Sequence, residues 1–476
     1  MFRSKKLGGQ LMNTRPEDLT YKRKNVWQQV NEETTKQIFD FAEGYKYFLT
    51  KGKTERTCVR EIINTAQSKG FIPVQQCQNL KAGDKIIISS KGKVVALAII
   101  GQKGLDMGIS LVGSHIDAPR LDLKPHPLYQ DEGLGLFKTH YYGGIKKYQW
   151  LAIPLALHGV ICKSNGQLVD VTIGDNPGDP VFTVTDLLPH LAKDQMAKKL
   201  MEAFEGEQLN LLIGGIPLQN GEKDTAVKLN ILKLLHQKYG ITEEDFISAE
   251  LEAVPAGPAY DVGLDRSMVG AYGQDDRVCV YTSLQGILDA NQPTRTAVAL
   301  FIDKEEIGST GNTGMMGRFL QNAVSEIGVR LYNQFNALAL YNIFEKSIAL
   351  SADVTAAVDP NFEGVLEKQN AAHLCGGVVI TKYTGVKGKY ETNDANAEYI
   401  AFIRNMLNQN NITWQTGELG KVDQGGGGTI AHMISELGFE VVDCGVPLLS
   451  MHAPMEIASK ADIFESYRTY KNFFMA

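Results

Sequence analysis

Beyond about residue 263, short apolar runs alternate with stretches of helical periodicity to the end of the chain. The runs are ALFID (299–303), SIALS (347–351), GVVIT (377–381), ITWQT (412–416), FEVVD (439–443) and PLLSM (447–451). Each is too short for a helix and rich in β-branched or bulky apolar residues, so each reads as a buried strand. Their alternation with helices predicts an α/β fold built on a mixed, mostly parallel sheet covered by helices. Near the start, residues 26–70 are polar with helical spacing and stop at Gly70. KIIISSKGKVVALAIIG (85–101) predicts a hairpin around Ser-Lys-Gly-Lys, and residues 110–113 predict the strand that leads into His115. Between about 120 and 262 the character changes to short strands rich in Gly and Pro, with a second hairpin in HGVICKSNGQLVDVTIG (158–174) and a helix through MAKKLMEAF (196–204). The expected organisation is a catalytic domain split into 1–120 and 263–476, with 121–262 as an inserted β-rich domain. The chain carries no internal repeat, low-complexity tract or long linker.

Composition narrows the function classes. A chain of 476 residues with 43% hydrophobic content has material for a large core and two to three domains. The net charge of -6 leaves no electrostatic footprint for nucleic acid, and the basic residues Arg3, Lys5 and Lys6 read as a solvated tail. No stretch approaches the roughly 18 apolar residues of a membrane span, and MFRSKKLGGQ lacks an apolar signal core, so a cytoplasmic protein with no membrane partner is expected. Six cysteines (Cys58, Cys77, Cys162, Cys279, Cys375, Cys444) are widely spaced without a CxxC pair and read as reduced thiols. Cys279 lies near Asp275 and is conceivable as a nucleophile, although CVYTSL reads as the inward face of an element.

Five motifs place acids or histidines at the ends of apolar runs or beside glycine. LVGSHIDAPR ends a strand at His115 with Asp117 two residues on, a spacing that lets the carboxylate orient a metal-bound imidazole. GQDDRV offers the adjacent acids Asp275 and Asp276, of which one suffices to bridge two cations. ALFIDKEEIGSTG ends in Glu305 and Glu306, whose side chains diverge so that one can hold metal while the other reaches a water. SIALSADVTAA ends at Asp353, and PLLSMHAPME at His452. Taken singly, such pieces are as well explained by a polar turn, a solvated acidic face or a helix cap. Jointly, two of the chain's nine histidines at strand ends, matched by three acidic strand ends, point to a metal site. Zinc takes imidazole and carboxylate ligands, and two cations roughly 3.5–4 Å apart need an anionic bridge. Either Glu305 or Glu306 is then the general base of a two-metal hydrolase.

In the order HxD, D-[DN], EE-[IV]-G-S, S-A-D and S-M-H, the segments GSHIDAPRLDLKP, YGQDDR, DKEEIGSTG, LSADVTAAVDPNF and LLSMHAPMEIA resemble the aspartyl aminopeptidase family of dinuclear zinc metallopeptidases, over nearly the whole chain. The resemblance implies two Zn2+ per subunit, with Mn2+ or Co2+ as possible substitutes. It implies His115 and Asp353 on one zinc, Glu306 and His452 on the other, Asp275 bridging, Glu305 as general base and Asp117 orienting His115. In TDLLPHLAKD it places His190 where the family has a histidine reaching a neighbouring subunit's active site. It further implies that the insert is a dimerisation domain and that dimers assemble into a homo-oligomer, a tetrahedral dodecamer. DQGGGGTIAHM, with Gly425 to Gly428, resembles the family's Gly/Thr-rich turn near the substrate. The chain departs from acid-specific members at Ala356 and Asp359, where those have histidines, and in this it resembles a bacterial-type branch. Lys382 is either a partner for a substrate carboxylate or an exposed strand-end lysine. The expected activity is therefore removal of an acidic or neutral first residue from short peptides with a free N-terminus. The alternatives are another dinuclear amide hydrolase, a deacylase or carboxypeptidase, and a non-catalytic assembly protein of the same fold.

Overall fold

A computed structural model of the protein describes residues 19–476. The basic residues Arg3, Lys5 and Lys6 and the start MFRSKKLGGQ lie outside the described residues.

Alternation along the central strands sets up the main layer. In strand Thr296–Ile302 the side chains of Ala297, Ala299 and Phe301 enter one core, and those of Val298, Leu300 and Ile302 enter another on the opposite face. Strand Val94–Ile99 divides in the same way. A strand apolar on both faces must be covered on both, which places it inside a helix-sandwiched sheet. Nine strands form that sheet, in the order Ile72–Pro73, Lys85–Ser90, Val94–Ile99, Thr296–Ile302, Ile109–His115, Ile348–Ser351, Glu440–Gly445, Val378–Thr381, Trp414–Thr416. The four central strands from Thr296–Ile302 to Glu440–Gly445 run parallel, and antiparallel pairs occur to either side. One face is covered by helices Glu32–Lys51, Glu55–Ser68, Gln274–Leu288, Ala397–Gln409 and Lys460–Met475, the other by Phe319–Leu331, Ala337–Glu345 and Ala431–Glu436.

The helical stretch expected over 26–70 is two helices. Asn31 caps the first by accepting from the Thr34 amide, and Thr54 with Thr57 forms a reciprocal cap on the second. Between them, Lys53 is buried and its Nζ donates to the carbonyls of Pro255 (2.8 Å) and Gly257 (2.6 Å).

A second, seven-stranded antiparallel sheet has all its strands between Arg120 and Pro255, around a core that includes Trp150, Leu157, Phe137 and Phe246. The hairpin expected over 158–174 is its Leu155–Cys162 and Leu168–Ile173 pair. The helix expected through 196–204 is absent; two single turns, Lys193–Met196 and Leu200–Ala203, stand in its place. Met196, Leu200 and Met201 are exposed there, so no packed face sustains a longer helix. Strand Tyr260–Val262 pairs into a third sheet of five strands with Met268–Ala271, Glu456–Ser459, Pro447–Leu449 and Thr355–Ala356. PLLSM thus belongs to this smaller sheet and not to the main one. Among the described residues no helix is long and apolar enough to cross a membrane.

Candidate metal centre

Strand register brings three of the motifs to one edge. Ile302 pairs with His115 and Ser351 with Gly113, so the carboxyl ends of three parallel strands lie side by side. They deliver His115 directly, Glu305 and Glu306 through the turn Glu305–Ile307, and Asp353 two residues past its strand. Asp275 arrives differently, at the head of helix Gln274–Leu288, where its backbone is still non-helical; the Asp275–Asp276 peptide bond is cis. His452 follows the smaller sheet's strand Pro447–Leu449, with φ at 65°.

The side chains converge. His115 Nε2 lies 3.2 Å from Asp275 Oδ1, and His452 Nε2 lies 3.1 Å from Asp275 Oδ2 and 3.3 Å from Glu306 Oε1. One carboxylate therefore presents an oxygen to each imidazole. On the far side of the rings, His115 Nδ1 faces the Asp117 backbone carbonyl (3.1 Å) and Asp117 Oδ1 (3.3 Å), and His452 Nδ1 faces the Gly144 carbonyl (2.9 Å). Carbonyl and carboxylate oxygens only accept, so Nδ1 of each ring carries a proton; without a cation Nε2 carries one too and donates to Asp275, and a bound cation would take that proton's place on the Nε2 lone pair. Ligand atoms of His115, Asp275 and Glu306 lie within 4.8 Å of one another, as do those of His115, Asp276 and Asp353.

A cation at Nε2 would also meet oxygens that no donor reaches. Asp276 Oδ1 and Glu306 Oε1 are buried without a hydrogen-bond partner. Burial and the Asp275 charge hold the Glu306 carboxyl well above the usual carboxylate range, and burial together with Glu305 does the same to Asp353, against the pull of His115. Burial also pushes Glu305 up to about 7, opposed by His115 and reinforced by Asp117 and Asp275. Burial disfavours charge on Asp275, yet hydrogen bonds to His115 and His452 hold its carboxyl low; burial lowers His452, but Asp275 raises it to about 10. This is a carboxylate cluster short of positive charge, and a nitrogen and oxygen donor set of this kind suits zinc.

The support around these ligands is more elaborate than the motifs announce. Asp117 is fully buried and accepts from four donors: His115 Nδ1, the amides of Glu305 (3.1 Å) and Glu306 (3.2 Å), and the Tyr142 hydroxyl (2.8 Å). Glu456, also buried, accepts from the amides of Asp275 (3.1 Å) and His452 (2.7 Å), one on each oxygen. Burial and the charge of Asp275 raise its carboxyl to about 8. Reading the motifs missed Tyr142, Gly144 and Glu456. Only Glu456 left a trace, as an acid four residues after His452 in LLSMHAPMEIA.

The other singled-out residues are not among these donor groups. His190 is exposed in the turn Pro189–Leu191, next to the edge strand Thr183–Val184 of the seven-stranded sheet. Lys382 is half-exposed just past strand Val378–Thr381, with its Nζ 2.7 Å from Asp394 Oδ1. Ala356 is on a short strand, and Asp359 Oδ1 accepts from the Asn361 amide. The Gly425–Gly428 turn is partly a ladder, since Gly426 and Gly427 pair with Val386 and Gly385, and Thr429 after it donates to Asp443 Oδ1 (2.6 Å). Cys279 is packed inside its helix, where burial and the neighbouring Asp276 push its thiol well above the usual range, against a nucleophilic role. All six cysteines are free thiols.

The family described as aminopeptidase I zinc metalloprotease (M18) matches residues 48–474. The chain belongs to the M18 family. "Probable M18 family aminopeptidase 1" of Clostridium acetobutylicum is 50% identical over 462 residues, covering 96% of this chain and 99% of that one. The crystal structure of the M18 aminopeptidase of Thermotoga maritima superposes with a TM-score of 0.92 at 48% identity, over 96% of this chain and 99% of that chain. A structure of the mApe1 dodecamer of S. cerevisiae shares the fold, with a TM-score of 0.72 at 19% identity over 91% of this chain and 96% of that chain. The protein is thus an M18 zinc metallo-aminopeptidase, a hydrolase, and the donor cluster is its candidate metal centre.

Proposed function

We propose that this M18 enzyme removes the first residue of short peptides with a free N-terminus at a two-zinc centre built from the cluster. His115 and Asp353 would hold one ion, Glu306 and His452 the other, and Asp275 would bridge them. The observation that carries this reading is Asp275, with one oxygen at each imidazole Nε2. When bound, zinc lowers the pKa of water to about 7 and polarises the scissile carbonyl. Glu305 takes the proton of the attacking water and passes it to the leaving amine. Asp117 holds the His115 ring and, through two amides, the turn that aims Glu305.

The reading covers an acidic or a neutral first residue: Ala356 and Asp359 supply no cation, and Lys382 shares Asp394 with Lys389.

Residues 121–262 act in this reading as an inserted dimerisation unit. Leu191, Met196 and Met201 are 69%, 78% and 85% exposed along it, apolar surface that association would cover. His190, among them, would then reach a neighbouring subunit's centre and stabilise the oxyanion. Dimers would build a dodecamer, the assembly of the yeast mApe1 structure.

The test is release of the N-terminal residue from a panel of free and N-acetylated dipeptides, with metal-replete protein and a chelator control. Chelator-sensitive cleavage of free peptides only is expected, and the panel ranks acidic against neutral first residues. Cleavage of blocked peptides would move the reading to a deacylase or carboxypeptidase.

A further inference from the structure

Strand Leu134–Tyr142 belongs to the seven-stranded sheet, yet the three residues at its end reach both halves of the metal centre. The Tyr142 hydroxyl donates to Asp117 Oδ2 at 2.8 Å, and Asp117 in turn holds His115. Two residues on, the Gly144 carbonyl accepts from His452 Nδ1 at 2.9 Å. Between them Gly143 takes φ of 74°, and a Cβ there would lie 3.3 Å from Pro119 and 3.4 Å from the Glu306 Cβ, so the segment runs close against the centre. A Cβ on Gly144 would sit 3.4 Å from His452 Nδ1. The tyrosine is itself fixed, with the Arg120 guanidinium 3.9 Å over its ring and Arg120 paired opposite it in the sheet. Arg120 is anchored in turn by Glu252 (3.3 Å) and by Glu55 (3.4 Å) of helix Glu55–Ser68.

We propose that Tyr142–Gly144 is a brace that positions both histidines of the centre, so that the seven-stranded sheet and the metal centre are mechanically one unit. Tyr142 is the positioning residue, acting through Asp117. The inference rests on the metal-centre reading given above. The group that reaches the centre is the hydroxyl, which the Arg120-braced ring aims at Asp117. Asp117 Oδ1 receives His115 and the Glu305 amide, and Oδ2 receives the Glu306 amide and Tyr142. Without the hydroxyl, Oδ2 keeps one donor of two, and the carboxylate is held less firmly toward the imidazole it orients.

The test is zinc competition against a chelator on the full-length protein, comparing wild type with Tyr142→Phe, with Tyr141→Phe as the exposed neighbouring control. Tyr142→Phe is expected to weaken zinc binding about 10–100-fold, as loss of a partner behind a metal ligand does. Its kcat at saturating zinc should fall while KM stays put, and the metal-free form should melt where the wild type does. Tyr141→Phe should change none of these. Wild-type zinc affinity in Tyr142→Phe overturns the proposal, as does a fall in melting temperature that is equal with and without zinc, because the hydroxyl would then serve the hairpin alone. His115→Ala and His452→Ala in the same titration separate the two failures. If they bind zinc like wild type, the metal-centre reading falls and the brace with it; if they lose zinc and Tyr142→Phe does not, only the brace falls.

Discussion

Glu305 and Glu306 are neighbours in sequence with different partners. Glu306 Oε1 lies 3.3 Å from His452 Nε2 inside the donor cluster, whereas the Glu305 side chain forms no such pair. Glu305→Gln is therefore expected to keep zinc and lose turnover by about 10²–10⁴-fold, the usual worth of a general base, as read by metal analysis and steady-state kinetics. Glu306→Ala or His452→Ala should lose zinc instead. Near-normal turnover in Glu305→Gln would remove it from the base role. Close to Asp353, Asp443 is a buried carboxyl near the end of strand Glu440–Gly445, accepting from Thr429 while its Oδ2 has no hydrogen-bond partner. Burial raises it from 3.8 to about 6, against the hydrogen bond from Thr429 and the pull of the nearby Ser351 hydroxyl. Between about pH 4 and pH 6 the folded protein thus retains a proton that the unfolded chain has lost, and stability from this group falls as pH rises through that window, by about 3 kcal/mol at most. Asp443→Asn should match the wild type near pH 4 and melt higher at pH 8; thermal melts at the two pH values check it, and equal curves at pH 8 would contradict it.

At the scale of elements, the centre depends on strands that approach closely at their carboxyl ends. A Cβ on Gly445, the last residue of strand Glu440–Gly445, would fall 1.7 Å from the Asp353 carbonyl oxygen. Gly445→Ala must therefore push that strand end away from the segment carrying Asp353. We expect a loss of about 1–3 kcal/mol or more in stability, together with weaker zinc binding. A denaturant melt and a zinc titration on the same variant measure both, and a variant that folds and binds zinc normally would show that the strand ends yield more easily than their packing suggests. The helix pair at the start makes a related point. Its break lies where Lys53 turns inward to the carbonyls of Pro255 and Gly257, tying the first helices to the end of the seven-stranded sheet.

At the scale of the whole molecule, the cluster of charges at the root of the seven-stranded sheet and the exposed turn at its edge do different work. Arg120, Glu55 and Glu252 are buried where that sheet meets the helices of the main one. Burial opposes charge on Glu55, but Arg120 and Lys93 hold its carboxyl down at about 2. In the proposed reading, the exposed turn carries His190 to a neighbour's centre. If it completes a neighbour's site, subunits with His190→Ala and subunits with Glu305→Gln, each nearly inactive alone, should regain activity when dissociated, mixed and reassembled. The recovered active sites would pair the intact Glu305 of one subunit with the intact His190 of its neighbour. Mixtures no more active than the parents would confine His190 to a structural role.

Much of this protein was legible from residue patterns alone. The strands ALFID, SIALS, GVVIT and FEVVD announce themselves because a two-faced buried strand must be apolar throughout, and period-two packing into separate cores is what Thr296–Ile302 displays. The motifs also carried the chemistry, since only a few residue types can ligate zinc, and their order along the chain matched one family. The PLLSM run shows the limit: it is a strand, but which sheet it joins depends on partners far away in sequence. So does the helix expected through MAKKLMEAF, whose apolar residues found no face to bury against within the chain. The tertiary structure alone decided how Asp275 and Asp276 both face the centre, and that Tyr142, Gly144 and Glu456 stand behind its ligands. Gly144 and His452 are 308 residues apart, and the contact uses a backbone carbonyl that every residue possesses. A side-chain pattern records which groups can bind a metal; which backbone atoms and distant hydroxyls hold those groups in place is set only when the sheets pack.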